Sequence, residues 1–285
     1  MPLDQERVTS VFQKVGRQLS KVASKPLPET VHQFRTSTRR TEAVLEELVP
    51  EQDRNQRRLL KELTRLRRRA GRVREVDVQI TALRGLKAPQ DAARKAEVLR
   101  SLAEMRAKRE AKLLKALDNQ TVREIRKRLK RAAESPQTLK NARDPFTVAS
   151  QMLARLTRIS GPLREELLHQ YRVNCKRIRY VAELEGDRPE AQQLVEQLKR
   201  MQDALGDWHD WLTLTETVQK HVGDDARSAL LAELSNITRA KLREAMAVVQ
   251  ETKASMSAKP VLMTQAKGVG RKPAASQRQL AAAIA

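Results

Sequence analysis

Apolar residues recur at intervals of three and four through most of the chain, the signature of amphipathic helices. The spacing predicts helices over about 4–22, 52–70, 72–84 and 91–132, and again over 145–160, 190–204, 207–222 and 225–250. Two further runs are bounded by helix breakers: one begins at Pro28 and Thr30 and stops at Pro50, and the other follows Gly161 and Pro162 and stops at Gly186, with Pro189 just beyond. No segment alternates with a period of two, so no strand is expected. The pattern fails from Thr252 onward. There, six Lys/Arg and no acidic residue are scattered among Gly, Pro, Ser and Ala, which reads as a disordered basic tail over 252–285.

The chain repeats itself. VHQFRTSTRRTEAVLEELV (31–49) aligns without gaps to LHQYRVNCKRIRYVAELEG (168–186), with identities at His32/His169, Gln33/Gln170, Arg35/Arg172, Arg40/Arg177, Val44/Val181 and Glu46/Glu183. A second echo follows each copy, RRRAGRVREVDVQI (67–80) and KRMQDALGDWHDWLTL (199–214), with Gly71 and Gly206 at similar distances from the two histidines. A polar stretch between Pro136 and Pro145 joins the copies. The expected organisation is therefore two related helical halves, 1–138 and 139–251, of about four helices each.

Composition agrees with helices and adds a charge problem. Ala, Leu, Arg, Lys, Glu and Gln dominate, aromatics are 2%, and 57 Lys+Arg against 35 Asp+Glu give a net charge of +22. Such an imbalance repels itself unless a polyanion neutralises it. Cys175 is the only cysteine, which excludes an internal disulfide and a Cys-based zinc site and gives no sign of an oxidising compartment. No apolar run is long enough to span a bilayer, and MPLDQERVTS lacks the order of a secretory signal, so a cytoplasmic protein is expected.

The cations are ordered. On a helical wheel His169, Arg172, Lys176 and Arg179 fall within about 80° of one another, and His32, Arg35 and Arg39 repeat that layout, with Glu42 standing where Arg179 would be. Arg54, Arg58, Lys61, Arg65, Arg68 and Arg72 form a second stripe, opposite an apolar stripe of Leu59, Leu63, Leu66, Ala70 and Val73. Ten basic residues face only two acids, Glu62 and Glu75, over 54–76, so pairing within the helix cannot neutralise the row. A charged row is ordinarily a solvated face; the excess of one sign, the use of Arg, whose planar fork suits phosphate, and the recurrence in both halves favour an anion-binding surface. With seven aromatics in all, and no zinc finger, RNP motif or Gly-x-x-Gly clamp, bare phosphate is favoured over bases.

HQFRTSTRR and HQYRVNCKRIRY, followed by REVDV and DALGDWHD, resemble the CHAD family of histidine-bearing α-helical domains over roughly residues 4–250. The resemblance implies an all-α fold of two helical bundles related by a pseudo-twofold axis, with a central basic groove or pore that binds inorganic polyphosphate. Position by position it implies binding by His32, Arg35, Arg39, Arg40, His169, Arg172, Lys176, Arg177 and Arg179, with Arg68, Arg72, Arg74 and Lys199 as looser matches. The stripe residues Lys61 and Arg65 are included with them. Glu42 and Glu75 depart from the family pattern. Many relatives carry an N-terminal triphosphate-tunnel domain, for which this chain has no room, so a stand-alone, non-catalytic module without cofactor or metal is expected, with polyphosphate granules as a cellular target. Histidines among cations would be neutral when empty and charged beside an anion, strengthening binding at lower pH.

Two rival readings are kept. General nucleic-acid binding, helped by GVGRKP in the tail, uses the same charge. A metal-dependent phosphohydrolase would use Asp203, Asp207 and Asp210, spaced along one helical face, with His209 nearby and Mg²⁺ or Mn²⁺ bound.

Overall fold

A computed structural model describes residues 5–135, 142–159, 161–222 and 228–258. They form nine α-helices and, among the described residues, no strand: α1 Gln5–Ser24, α2 Pro28–Ala43, α3 Arg54–Gly85, α4 Ala92–Ala116, α5 Asn119–Glu134, α6 Pro145–Thr157, α7 Glu165–Ala182, α8 Pro189–Val222 and α9 Ala229–Ala258. The all-α expectation holds.

Local chemistry sets most boundaries. Proline occupies the first turn of α2 and α6, where its missing N–H costs nothing. Asp53 caps α3 in a reciprocal box with Gln56, and Asp118 and Asp144 accept the backbone N–H groups of Thr121 and Thr147. Asp118 also corrects the single helix expected over 91–132, because Leu117 leaves helical geometry and the aspartate starts a new helix, α5. The breaks expected near Gly71 and Gly206 do not occur. Both glycines sit inside continuous helices, α3 and α8, whose packed apolar stripes outweigh the roughly 1 kcal/mol cost of an internal glycine. Helix α2 ends in a π-helical turn, Val44–Leu48, closed by the Val49 N–H on the Val44 carbonyl at 3.2 Å.

In the first half α1 packs on α2 and α5, and α3 packs on α2, α4 and α5; in the second, α7 packs on α6 and α8, and α8 on α9. The halves meet where α2 crosses α7 and α3 crosses α8. Two apolar clusters each draw on both halves. The larger includes Phe12, Phe34, Leu63, Tyr171, Leu198 and Trp208; the smaller joins Ile80, Leu83 and Leu102 to Leu214, Val218 and Leu234. Phe34 and Tyr171 are fully buried, as their positions in the repeat require. Asp91 adds a polar clasp between halves, accepting from Ser228 Oγ (2.9 Å) and the Leu230 N–H (2.8 Å) at the start of α9.

The boundary expected at 138/139 lies outside the described residues. The tail begins later than expected: α9 continues through Ala258, because Val249 and Thr252 are buried and Thr252 Oγ1 donates to the Val248 carbonyl. The rest of the expected tail, 259–285, also lies outside the described residues. No described helix is long and apolar enough to cross a membrane.

Between α7 and α8 the chain turns at Gly186, whose φ of 82° lies in the left-handed region. A Cβ there would collide with the Arg7 guanidinium, which also reaches Asp187 at 3.2 Å. Gly186→Ala is expected to lower stability by about 1–2 kcal/mol. Urea unfolding followed by helical circular dichroism measures it, and an unchanged midpoint would show that the turn relaxes without cost.

Candidate functional site

The crossing of α2 and α7 sorts the repeated cations into two groups. The first is spent on holding the halves together. Arg40 Nε lies 2.9 Å from Glu183 Oε2, while Arg177 pairs with Glu46 (3.6 Å) and with Glu47. Arg40/Arg177 and Glu46/Glu183 are equivalent positions of the repeat, so each half supplies the same arginine to the other half's glutamate. Arg179 joins this set, bonding Glu183 (2.8 Å) and Gln202 (2.9 Å) and lying over the Tyr180 ring, which Arg40 also approaches. These three predicted anion ligands therefore already have partners.

The second group faces inward without such partners. Arg35 and Arg39 are one turn apart on α2, Arg172 and Lys176 one turn apart on α7, and no carboxylate forms an ion pair with any of the four among the described residues. Nε of Arg35 and Nε of Arg172, the same atom in the two copies, are shut off from solvent and have no hydrogen-bond partner. An orphaned buried donor is costly and uncommon. Gly71 of α3 lies against Arg35, where a Cβ would stand 3.7 Å from Nε, so a larger side chain would press on the guanidinium.

The electrostatics follow from this crowding. Burial, then Arg39 and Arg67, bring the Arg35 guanidinium down to about 10. Burial also lowers Arg39 and Arg172. Lys176 falls to about 7 through burial and then through Arg172 and Arg39, the latter reaching across from the other half. Asp210 is the carboxylate acting on Arg172 and Lys176, as Glu42 and Glu46 act on Arg39; burial raises Asp210 despite its two cations.

Flanking positions repeat as well. With Gly71 aligned to Gly206, Arg74 corresponds to His209. Arg74 is the strongest charged neighbour lowering His32, after burial, and the His209 ring lies 5.8 Å from that of His169. Burial, Arg172 and His169 push His209 down to about 4, so it is neutral at pH 7. Glu42, the departure in the first copy, is buried and takes Thr64 Oγ1 (2.8 Å) and Arg67 (2.7 Å). It neutralises a fifth guanidinium rather than one of the four.

Several expected site residues lie apart from this cluster. Lys61, Arg65, Arg68 and Arg72 are exposed, on a side of α3 roughly 130° around the helix from Arg67, Gly71 and Arg74. Of the looser α3 matches, only Arg74 reaches the cluster. Lys199 is exposed too, on the wall of an open groove of about 1080 Å³ between α8 and α9 where acids such as Glu196, Asp203, Asp207 and Glu251 outnumber bases. Glu75 pairs with Arg109 (3.3 Å), and buried Asp77 takes Arg106 (2.6 Å), so REVDV anchors α4. The aspartates of α8 do share a face, yet Asp207 is bound to Lys241 (2.9 Å) and Asp210 is turned to Arg172 and Lys176. Among the described residues no group of three or more His, Cys, Asp or Glu is placed to hold a metal ion. His221 is exposed, bonded to Ser101 and to the Thr217 carbonyl. Sequence reasoning missed Arg67, for which the unexplained Glu42 was the available signal, and the pairing of His209 with His169.

Comparison with solved structures finds the same fold in the crystal structure of the CHAD domain from the plant Ricinus communis (TM-score 0.63, 16% identity, 90% of this chain and 92% of that one). PptA from Streptomyces chartreusis is also similar (TM-score 0.57, 16% identity, 91% of this chain and 100% of that one). No curated protein matches. The CHAD domain matches residues 6–219, three quarters of the sequence and all of the inward-facing cations, and the chain belongs to the CHAD family.

Proposed function

We propose that Arg35, Arg39, Arg172 and Lys176, with His32, Arg74, His169 and His209 around them, bind inorganic polyphosphate without cleaving it. The observation that carries this reading is the pair of orphaned donors, Arg35 Nε and Arg172 Nε, contributed by equivalent positions of the two halves. A phosphate oxyanion satisfies such donors, relieves the repulsion among the four cations and gains charge-assisted bonds of about 1.5–3 kcal/mol each. Desolvation and crowding are met in folding, so the site needs little reorganisation when the anion arrives. Family membership supports the same ligand class, as does the distribution of aromatics: six of the seven are buried and Trp211 is half-buried, leaving no platform for base stacking. The ion pair of Asp207 with Lys241 favours a binding module over a phosphohydrolase. The reading is compatible with a cytoplasmic protein that associates with polyphosphate granules.

Arg35→Ala/Arg172→Ala is expected to weaken binding of labelled polyphosphate by about 100-fold or more, two charge-assisted bonds' worth. Competition by fluorescence anisotropy measures it. A loss smaller than about threefold in a folded variant would remove the site.

Binding should also take up protons. Lys176 sits near 7 in the free protein, and an anion favours its charged form, so affinity rises as pH falls from the higher bound-state value toward 7. Lys176→Arg keeps the charge and should flatten this dependence between about pH 9 and pH 6.5; a profile as steep as wild type would assign the proton elsewhere.

Without ligand, the same lysine destabilises the fold. Its folded value lies below its unfolded one, so the unfolded chain holds more protons between the two, and stability rises with pH from about 7 toward 10.5. At pH 6 Lys176→Met is expected to raise Tm by at least about 2–4 °C, the shift that about 1 kcal/mol produces in a chain of this size. A fall in Tm at that pH would contradict the repulsion.

A further inference from the structure

The basic row on α3 is left outside the inner cluster, and its environment is unusual for a solvated face. Arg54, Arg58, Lys61, Arg65, Arg68 and Arg72 are all exposed, and none has an ion-pair partner among the described residues. The two acids of that stretch are drawn off by other helices: Glu62 by Arg128 of α5 at 3.5 Å, and Glu75 by Arg109 of α4 at 3.3 Å. Those pairs strip the row of counter-charge from its own helix. Eighteen residues at 1.5 Å each make the row about 27 Å long. On the side of the helix between the row and Arg67, the guanidinium held beside Arg35 and Arg39, lie exposed Arg57 and Arg68, with Glu75 in the same arc paired to Arg109.

We propose that the α3 row is a second landing surface for the polyphosphate chain held by the inner cluster, occupied only by chains long enough to run past that cluster and around α3. This rests on the polyphosphate reading above and adds a chain-length dependence to it. A short chain engages the four inner cations and stops. A long one adds the row as an intramolecular contact, whose gain is set by effective concentration rather than by any new inner bond. The two surfaces also differ in kind. The inner cations are half-buried, whereas the row is fully open to solvent ions, so its contribution falls more steeply with salt. Extended, unbranched phosphate fits this row better than a single-stranded nucleic acid does, because no exposed aromatic residue lies along it to stack a base; duplex DNA is the competitor that the test must separate.

The test compares tripolyphosphate, long-chain polyphosphate and duplex DNA for three proteins over a salt series: wild type, the row variant Arg58→Gln/Lys61→Gln/Arg65→Gln/Arg68→Gln, and the inner variant Arg35→Ala/Arg172→Ala. Helical circular dichroism confirms folding. The row variant is expected to keep wild-type affinity for tripolyphosphate, to lose about tenfold or more for the long chain at low salt, and to show a log–log salt slope shallower by about 3, the share of four released counterions. Unchanged long-chain affinity and slope, with tripolyphosphate binding intact, would overturn the second surface and leave the inner site standing. A loss confined to DNA would assign the row to nucleic acid and overturn the proposal likewise. Tripolyphosphate binding that is insensitive to the inner variant would sink the inner site, and the overflow surface with it.

Discussion

Arg40 on Glu183 and Arg177 on Glu46 and Glu47 clamp two strongly basic helices face to face, and the rest of the molecule is arranged around that contact. Unit charges about 8 Å apart repel by roughly 2 kcal/mol at an effective dielectric of 20. Four inward cations in one cluster thus oppose the crossing of α2 and α7. What holds it is the reciprocal ion pairing at its edge, together with an apolar cluster in which Phe34 of one half and Tyr171 of the other are both fully buried. The clamp and the cluster are two uses of one repeated sequence. Arg40/Arg177 are paired with carboxylates across the crossing; Arg35/Arg172 form no ion pair among the described residues, though Asp210 acts on Arg172 from a distance.

That division gives the site its physical character. A guanidinium in water is satisfied by solvent; one whose Nε is enclosed without a partner has lost solvent and gained nothing. A bound polyphosphate, as proposed above, would recover this cost. Glu42 limits the cost by neutralising Arg67, which would otherwise add a further uncompensated guanidinium beside Arg35 and Arg39.

The repeat, the helical content and the inward cations were legible in the sequence, since apolar periodicity fixes which face of α2 and α7 is buried and the alignment shows Arg35 and Arg172 in one phase. The phase of α3 was harder. Its apolar stripe leaves two polar flanks, one carrying Arg67, Gly71 and Arg74 and the other the straight row, and only the crossing with α2 decides which flank faces the site. In the sequence the straight row, with its excess of one sign, is the more conspicuous of the two flanks. Gly71 and Gly206 misled for a related reason: local propensity penalises glycine in a helix, and tertiary packing overrode it. The division at Asp118 was a capping signal overlooked within a continuous apolar pattern. The ion pairs of Arg40 and Arg177 were illegible without the crossing, because their glutamates come from the other half.

Cys175 lies between α7 and α8, buried against Met201 Sδ and pushed up to about 12 by that burial. Its thiol is therefore silent toward alkylating reagents at neutral pH while the fold is intact. The molecule comes ready for site-directed labelling: a cysteine placed at the rim would carry a fluorophore or spin label alone, with no native thiol to remove first, and modification of Cys175 itself would report that the two helices had come apart.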